Sequence, residues 1–178
     1  AFFAMILSTA SGAGIPTRVV KSTVKLTPGL NISGINDSTA RIKAARNEFE
    51  AFQLVVSNGG MGATPVSNLT VTKPTLTRFG SSQTIPASEV RIYRLADVQV
   101  ATGSSIEGKT GSGVQYYPDI LIPQGGEDVP SLTTGLMETV TNNTRAAFPV
   151  NLAVGARVIV WVEVHVPENA TPGVYTGS

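Results

Sequence analysis

The sequence contains no cysteine and only one histidine, His165. The missing cysteines exclude a disulfide framework, a thiolate zinc site and a cysteine nucleophile. One histidine cannot supply the paired imidazoles of common metal motifs. Asp119 and Asp128 are the remaining candidates for a metal, as calcium ligands in loops, but no twelve-residue calcium-loop pattern accompanies them. We therefore expect neither a metal nor any other cofactor.

Charged residues are also scarce, at 14% of the 178 residues with a formal net charge of +1, where about 25% charged is usual. This balance argues against a nucleic-acid-binding surface and against a disordered tail. The apolar run Phe2–Leu7 resembles part of a signal peptide but is too short to span a bilayer. We interpret it as a packed strand or arm, with a retained signal remnant as the alternative.

Most of the apolar residues that are present alternate with a period of two, which is the period of a strand. In the segment VIVWVEVHV, valines occupy every second position from Val158 to Val166, and Ile159, Trp161, Glu163 and His165 take the other face. Similar alternation occurs in segments 17–27, 48–57, 89–100 and 148–154. Gly/Pro turns between these segments predict an all-β fold, an antiparallel two-sheet β-sandwich of jelly-roll or immunoglobulin-like type with little helix.

Two segments do not fit the alternation. Residues 39–47 contain good helix formers after a cap-like Asp37-Ser38, so the residues leave helix and strand both open. Residues 101–147 show little periodicity, and loops of such length are either functional or mobile.

The stretch GSSIEGKT, Gly103–Thr110, matches the phosphate-binding pattern G-x-x-x-x-G-K-[ST]. That chemistry requires a helix that begins at the Lys-Thr, so that its N-terminal N–H groups face the phosphates. Two glycines and Pro118 follow closely and prevent a stable helix. We therefore predict no nucleotide binding.

Aromatic residues provide the candidate ligand surface. Trp161, Tyr116 and Tyr117 are candidates for a platform on which sugar rings stack, and Glu163 and His165 share the strand face of Trp161. Packing in the core or in an interface is the alternative role for these aromatic side chains.

Three separated stretches, AARNEFEAFQLVV (44–56), YYPDILIP (116–123) and VWVEVHVPENATPGVYTGS (160–178), together resemble the N-terminal β-sandwich domain of bacterial proteins related to glycoside hydrolase family 123. In that family a large barrel follows the sandwich and carries the catalytic acidic pair. The resemblance implies that residues 39–47 are extended and that 103–113 form a variable loop before a Tyr-Pro-Asp turn. It divides the chain into an N-terminal arm (1–16) and a sandwich domain (17–178) that lacks its last strands.

Two functions from different classes follow. In the first, the chain is a non-catalytic accessory domain of a secreted or cell-surface carbohydrate-active protein, whose partner is a catalytic barrel or a glycan. Five N-glycosylation sequons, at Asn31, Asn36, Asn68, Asn142 and Asn169, favour secretion.

In the second function, the chain is a structural fibre subunit whose partners are copies of itself. Its sheet would be completed by the apolar N-terminal strand of a neighbour, with Phe2, Phe3, Met5, Ile6 and Leu7 as assembly residues. Neither function involves nucleic acid or a membrane span.

Overall fold

The structure of the chain is a computed structural model. It describes residues 3–8, 15–60, 62–100, 115–125, 128–130, 137–139 and 147–178, with the backbone alone for 3–8, 115, 128–130 and 137–139. These residues form fourteen strands: β1 (Phe3–Ser8), β2 (Thr17–Lys21), β3 (Thr39–Ala44), β4 (Phe49–Ser57), β5 (Val66–Leu69), β6 (Leu76–Arg78), β7 (Thr84–Ile85), β8 (Val90–Val100), β9 (Gln115–Pro123), β10 (Asp128–Pro130), β11 (Met137–Thr139), β12 (Val150–Leu152), β13 (Arg157–His165) and β14 (Val174–Gly177). A single 3₁₀ turn, Ala87–Glu89, precedes β8.

Ten of these strands form two five-stranded sheets. One, which we call the β13 sheet, has the order β2-β4-β13-β8-β9 and is antiparallel throughout. The other, the β14 sheet, has the order β3-β1-β14-β6-β7. Two further pairs, β5 with β12 and β10 with β11, are antiparallel ribbons. The predicted all-β sandwich is confirmed.

Strand β13 supplies the centre of the core, as its alternation predicts. Val160 and Val164 are fully buried, and Val158, Val162 and Val166 lie in the same hydrophobic cluster. Residues of the β14 sheet, among them Leu76 and Tyr175, pack in that cluster from the other side. The valine face is therefore the inner face of the β13 sheet, and the face of Trp161 is the outer one.

Within the segment 39–47, which the residues alone leave open between helix and strand, residues 39–44 are extended as the resemblance implies, and a turn follows at residues 46–47. Ala40 and Ala44 of β3 are buried and Ile42 is half-buried, so the apolar positions alternate with a period of two. The turn after β3 includes Asn47, which has a φ of 57°, in the left-handed region. The chain changes direction at this residue. Burial of this alternating face against the core overrides the helix propensity of the same residues.

The segment 17–27 does not form the single strand that its alternation predicts. Strand β2 ends at Lys21, and the chain then turns and packs over the outer face of the β13 sheet. Leu26 of this segment is buried with Val20, Val55 and Ile159 in a second hydrophobic cluster. Part of the outer face is consequently covered by residues 22–38, which we call the covering loop.

The segment 101–147 contains more regular structure than its sequence predicts. Residues 115–123 form strand β9, so the expected Tyr-Pro-Asp turn is part of a strand instead. Pro118 is tolerated because β9 is the edge strand of its sheet. The register also shifts here: Ala96 pairs with Ile120 and Asp97 with Pro118, which makes Asp119 the extra residue of a bulge.

Within the N-terminal segment, Phe3–Ser8 form strand β1. β1 lies inside the β14 sheet of its own chain, antiparallel to β3 and parallel to β14. Met5, for example, pairs with Ile42 on one side and Tyr175 on the other. The β14 sheet is therefore mixed rather than purely antiparallel.

Candidate interaction surface

The outer face of the β13 sheet carries three of the predicted site residues together. Trp161, Glu163 and His165 occupy alternate positions at the end of β13 that the covering loop leaves open. The indole Nε1 of Trp161 donates a hydrogen bond of 3.0 Å to Glu163 Oε1. The ring of Trp161 and the carboxylate of Glu163 thus form one fixed polar-aromatic unit.

His165 is held from several directions. Its Nδ1 lies 2.7 Å from Glu89 Oε2, and its Nε2 lies 3.2 Å from Asn47 Oδ1. Its ring also stacks on the ring of Phe49, with centroids 4.4 Å apart and an interplanar angle of 24°. Both ring nitrogens have partners within the fold, as expected for a residue that fixes the orientation of its neighbours.

Phe49 and Arg91 extend this group and were not predicted as site residues. The guanidinium carbon of Arg91 lies 5.0 Å from the centroid of the Phe49 ring, within the range of a cation–π contact. Phe49 pairs directly with His165, and Arg91 with Glu163, on neighbouring strands. We call Phe49, Arg91, Trp161, Glu163 and His165 the outer patch.

The other two predicted aromatic residues are elsewhere. Tyr116 pairs with Gln99, whereas Trp161 pairs with Tyr93, six residues earlier on β8. At about 3.3 Å per residue, this places Tyr116 about 20 Å along the sheet from Trp161. Tyr116 and Tyr117 are also adjacent on a strand, and adjacent side chains point to opposite faces. The three rings do not form one sugar-stacking platform.

The candidate metal ligands also lie apart from this patch. Asp119, at the β9 bulge, pairs with Lys25 of the covering loop and so joins that loop to the sheet edge. Of Asp128 only the backbone is described, in β10. Within the described residues no group of three or more His, Asp or Glu side chains could share a metal ion.

Two further sequence features concern segments that are described incompletely. The phosphate-loop match at Gly103–Thr110 lies outside the described residues, and the described chain resumes at Gln115 as a strand. The assembly residue Phe2 also lies outside them, and Phe3, Met5, Ile6 and Leu7 are described only as backbone of β1. None of the described segments is a helix long and apolar enough to cross a bilayer.

Comparisons with known proteins bear on the fold. No known protein-family profile matches the sequence, and no curated protein matches it at a significant level. Among solved structures, the chain is similar to part of a family 123 glycoside hydrolase from Clostridium perfringens, studied for glycolipid glycan hydrolysis. The TM-score is 0.50 and the identity 18%, over 76% of this chain. The matched portion is 18% of the hydrolase, so this chain shares the fold of a minor part of that enzyme.

Proposed function

We propose that the chain is a non-catalytic accessory β-sandwich domain of a secreted or cell-surface carbohydrate-active protein of the glycoside-hydrolase type. The observation that carries this proposal is the fold likeness to an 18% portion of a family 123 glycoside hydrolase. A sandwich that makes up such a minor part leaves most of the protein to a separate catalytic domain. This agrees with the family resemblance of the three sequence stretches, in which a barrel follows the sandwich.

Two surfaces support a role in packing or in glycan binding. On β9, Tyr116, Tyr117, Ile120 and Leu121 are 47%, 39%, 46% and 42% exposed, a concentration of apolar side chains at one sheet edge. Because adjacent side chains of a strand point to opposite faces, these residues make both faces of the edge strand apolar. An exposed apolar edge is typical of a protein contact, and here the partner would be the apolar surface of the barrel. The outer patch, with an exposed Phe49 and fixed polar groups beside it, has the composition of a glycan contact.

A hydrolysis assay tests the non-catalytic part of the proposal. The purified 178-residue chain is incubated with aryl glycosides and with oligosaccharides released from glycolipids, and released sugar is measured. We expect no turnover above the buffer control. Turnover that co-purifies with the chain and is lost in a Glu163→Gln or Glu89→Gln variant would contradict it.

A second candidate function is that of a fibre subunit completed by a donor strand. The observation that favours it is the position of β1, which is inserted between β3 and β14 and parallel to the latter. A strand inserted in this way has the topology of a donated strand, and a neighbour could supply it in the same register. Deletion of residues 1–10 should then abolish assembly. A deletion variant that still assembles eliminates this candidate.

A further inference from the structure

A cleft lies at the end of the sandwich, beside but separate from the outer patch. It has a volume of about 390 Å³, within the range of about 300–1,000 Å³ that is usual for small-molecule sites. One wall is the segment from β7 to the 3₁₀ turn, with Thr84 and Glu89. The other wall is the connection from β13 to β14, with Asn169 and Thr171, and Tyr175 lines the cleft between them.

One wall of this cleft, the β13–β14 connection, is fixed by hydrogen bonds to the rest of the fold. Arg46 Nε donates to the carbonyl of Ala170 at 2.9 Å, and Arg78 Nε to that of Pro172 at 3.1 Å. The hydroxyl of Tyr175 donates to the carbonyl of Thr171 at 2.8 Å, and Tyr175 is almost completely buried. A wall held in this way loses little conformational freedom when a ligand binds.

Glu89 is the charged residue of the cleft, and a contact with His165, which does not line the cleft, sets the orientation of its carboxylate. His165 Nδ1 contacts Glu89 Oε2 at 2.7 Å. Among the described residues no partner contacts Oε1, so that oxygen is available to accept a hydrogen bond from a ligand hydroxyl. This gives the stacked His165 a function in the fold: it positions the carboxylate at the cleft.

The chemistry of the lining selects the ligand class. Among the described residues no basic side chain lines the cleft, and the carboxylate of Glu89 disfavours an anion. A single carboxylate is also too few for a calcium site. The lining combines two prolines and an alanine with residues that carry hydroxyl or amide groups. This mixture matches a sugar ring, which has an apolar face and hydroxyl groups at its edge.

From these observations we propose that the cleft between the β7–β8 and β13–β14 connections binds a neutral sugar residue, with Glu89 accepting a hydrogen bond from a ring hydroxyl and Asn169 contacting the opposite edge. This deepens the proposed function, because it assigns glycan contact to a site that is distinct from the outer patch and from the apolar edge of β9.

The test is an amide-resolved NMR titration of the complete chain, produced in bacteria so that Asn169 is unmodified. The probes are the methyl glycosides of glucose, galactose and their 2-acetamido derivatives, with methyl glucuronide as the anionic comparison. We expect saturable shifts at residues 84, 89 and 169–171 for at least one neutral glycoside, and none for the glucuronide. Glu89→Gln and Asn169→Ala should each weaken binding at least fivefold, while Asp97→Asn, an exposed carboxylate on β8, should not.

The possible results of this titration distinguish the proposed sugar site in the cleft from the proposed accessory function. Glu89→Gln also changes the contact with His165, so Asn169→Ala provides the variant that leaves His165 untouched. Saturable shifts confined to the outer patch would contradict the proposed sugar site in the cleft. They would remain consistent with a glycan-binding accessory domain. Shifts for no glycoside, or unchanged affinity in both cleft variants, would also overturn the cleft. The accessory role itself is judged by the hydrolysis assay and by the size of the native protein, neither of which depends on this site.

Discussion

At the scale of single residues, two buried or half-buried polar side chains organise the outer face of the β13 sheet. Gln53 is 1% exposed, and its Nε2 donates to the carbonyls of Lys21 and Val24 at 2.9 and 2.8 Å. Arg157 donates to the carbonyls of Leu26, Thr27 and Leu30 further along the covering loop. Carbonyls of a loop that cannot pair within a strand are thereby satisfied by side chains of the sheet beneath.

Replacement of Gln53 by alanine should therefore lower the free energy of unfolding more than the replacement of an exposed polar residue does. The variant Gln53→Ala removes both short hydrogen bonds and opens a cavity under the covering loop. We expect the free energy of unfolding, measured by urea titration, to fall by about 2–3 kcal/mol.

The matched control is Gln99→Ala, which changes the same residue type at an exposed position of β8. Its free energy of unfolding should stay within about 0.5 kcal/mol of the wild type. Equal effects of the two variants would show that Gln53 does not hold the covering loop.

At the scale of elements, strand β13 is where sequence and structure agree most fully. Its nine residues pair with β4 along their whole length and with β8 along most of it. Because both neighbours are antiparallel and one face meets the core, every second residue is a buried valine. An alternation of this length with one apolar face is typical of a strand that packs one side against a core, so the sequence alone predicts it.

Other elements could not be predicted because their structure depends on distant partners. In the segment 17–27 the period of two continues past Lys21, but Leu26 reaches a second cluster through a turn instead of a strand. Pro118 argues against a strand unless the strand is known to lie at an edge. Likewise, Phe49 and Arg91 join His165 and Glu163 through cross-strand register, which no local pattern shows.

Strand β13 also gives a prediction at this scale. Val160 lies at its centre and is fully buried, so Val160→Ala removes two methyl groups from the middle of the core. The free energy of unfolding should fall by about 2 kcal/mol. Val154→Ala makes the same change at a residue that is 50% exposed and should cost less than about 0.5 kcal/mol. A difference of less than about 1 kcal/mol between the two variants would contradict the assignment of the valine face to the core.

At the scale of the whole molecule, the sandwich presents three distinct regions to its surroundings. These are the apolar edge at β9, the cleft beside Glu89 for which we propose a sugar ligand, and the mixed β14 sheet, which contains β1. The first two are the surfaces that the proposed accessory role would use. The third is the basis of the fibre alternative.

The size of the protein in its native source distinguishes these two accounts most directly. The measurement is the intact mass of the species that contains this chain, compared by electrophoresis in detergent with and without boiling. The accessory account predicts one species much larger than 18.5 kDa whose mobility does not depend on boiling. A species near 18.5 kDa that runs as a detergent-resistant ladder until it is boiled would contradict it, and would show subunits joined through exchanged strands.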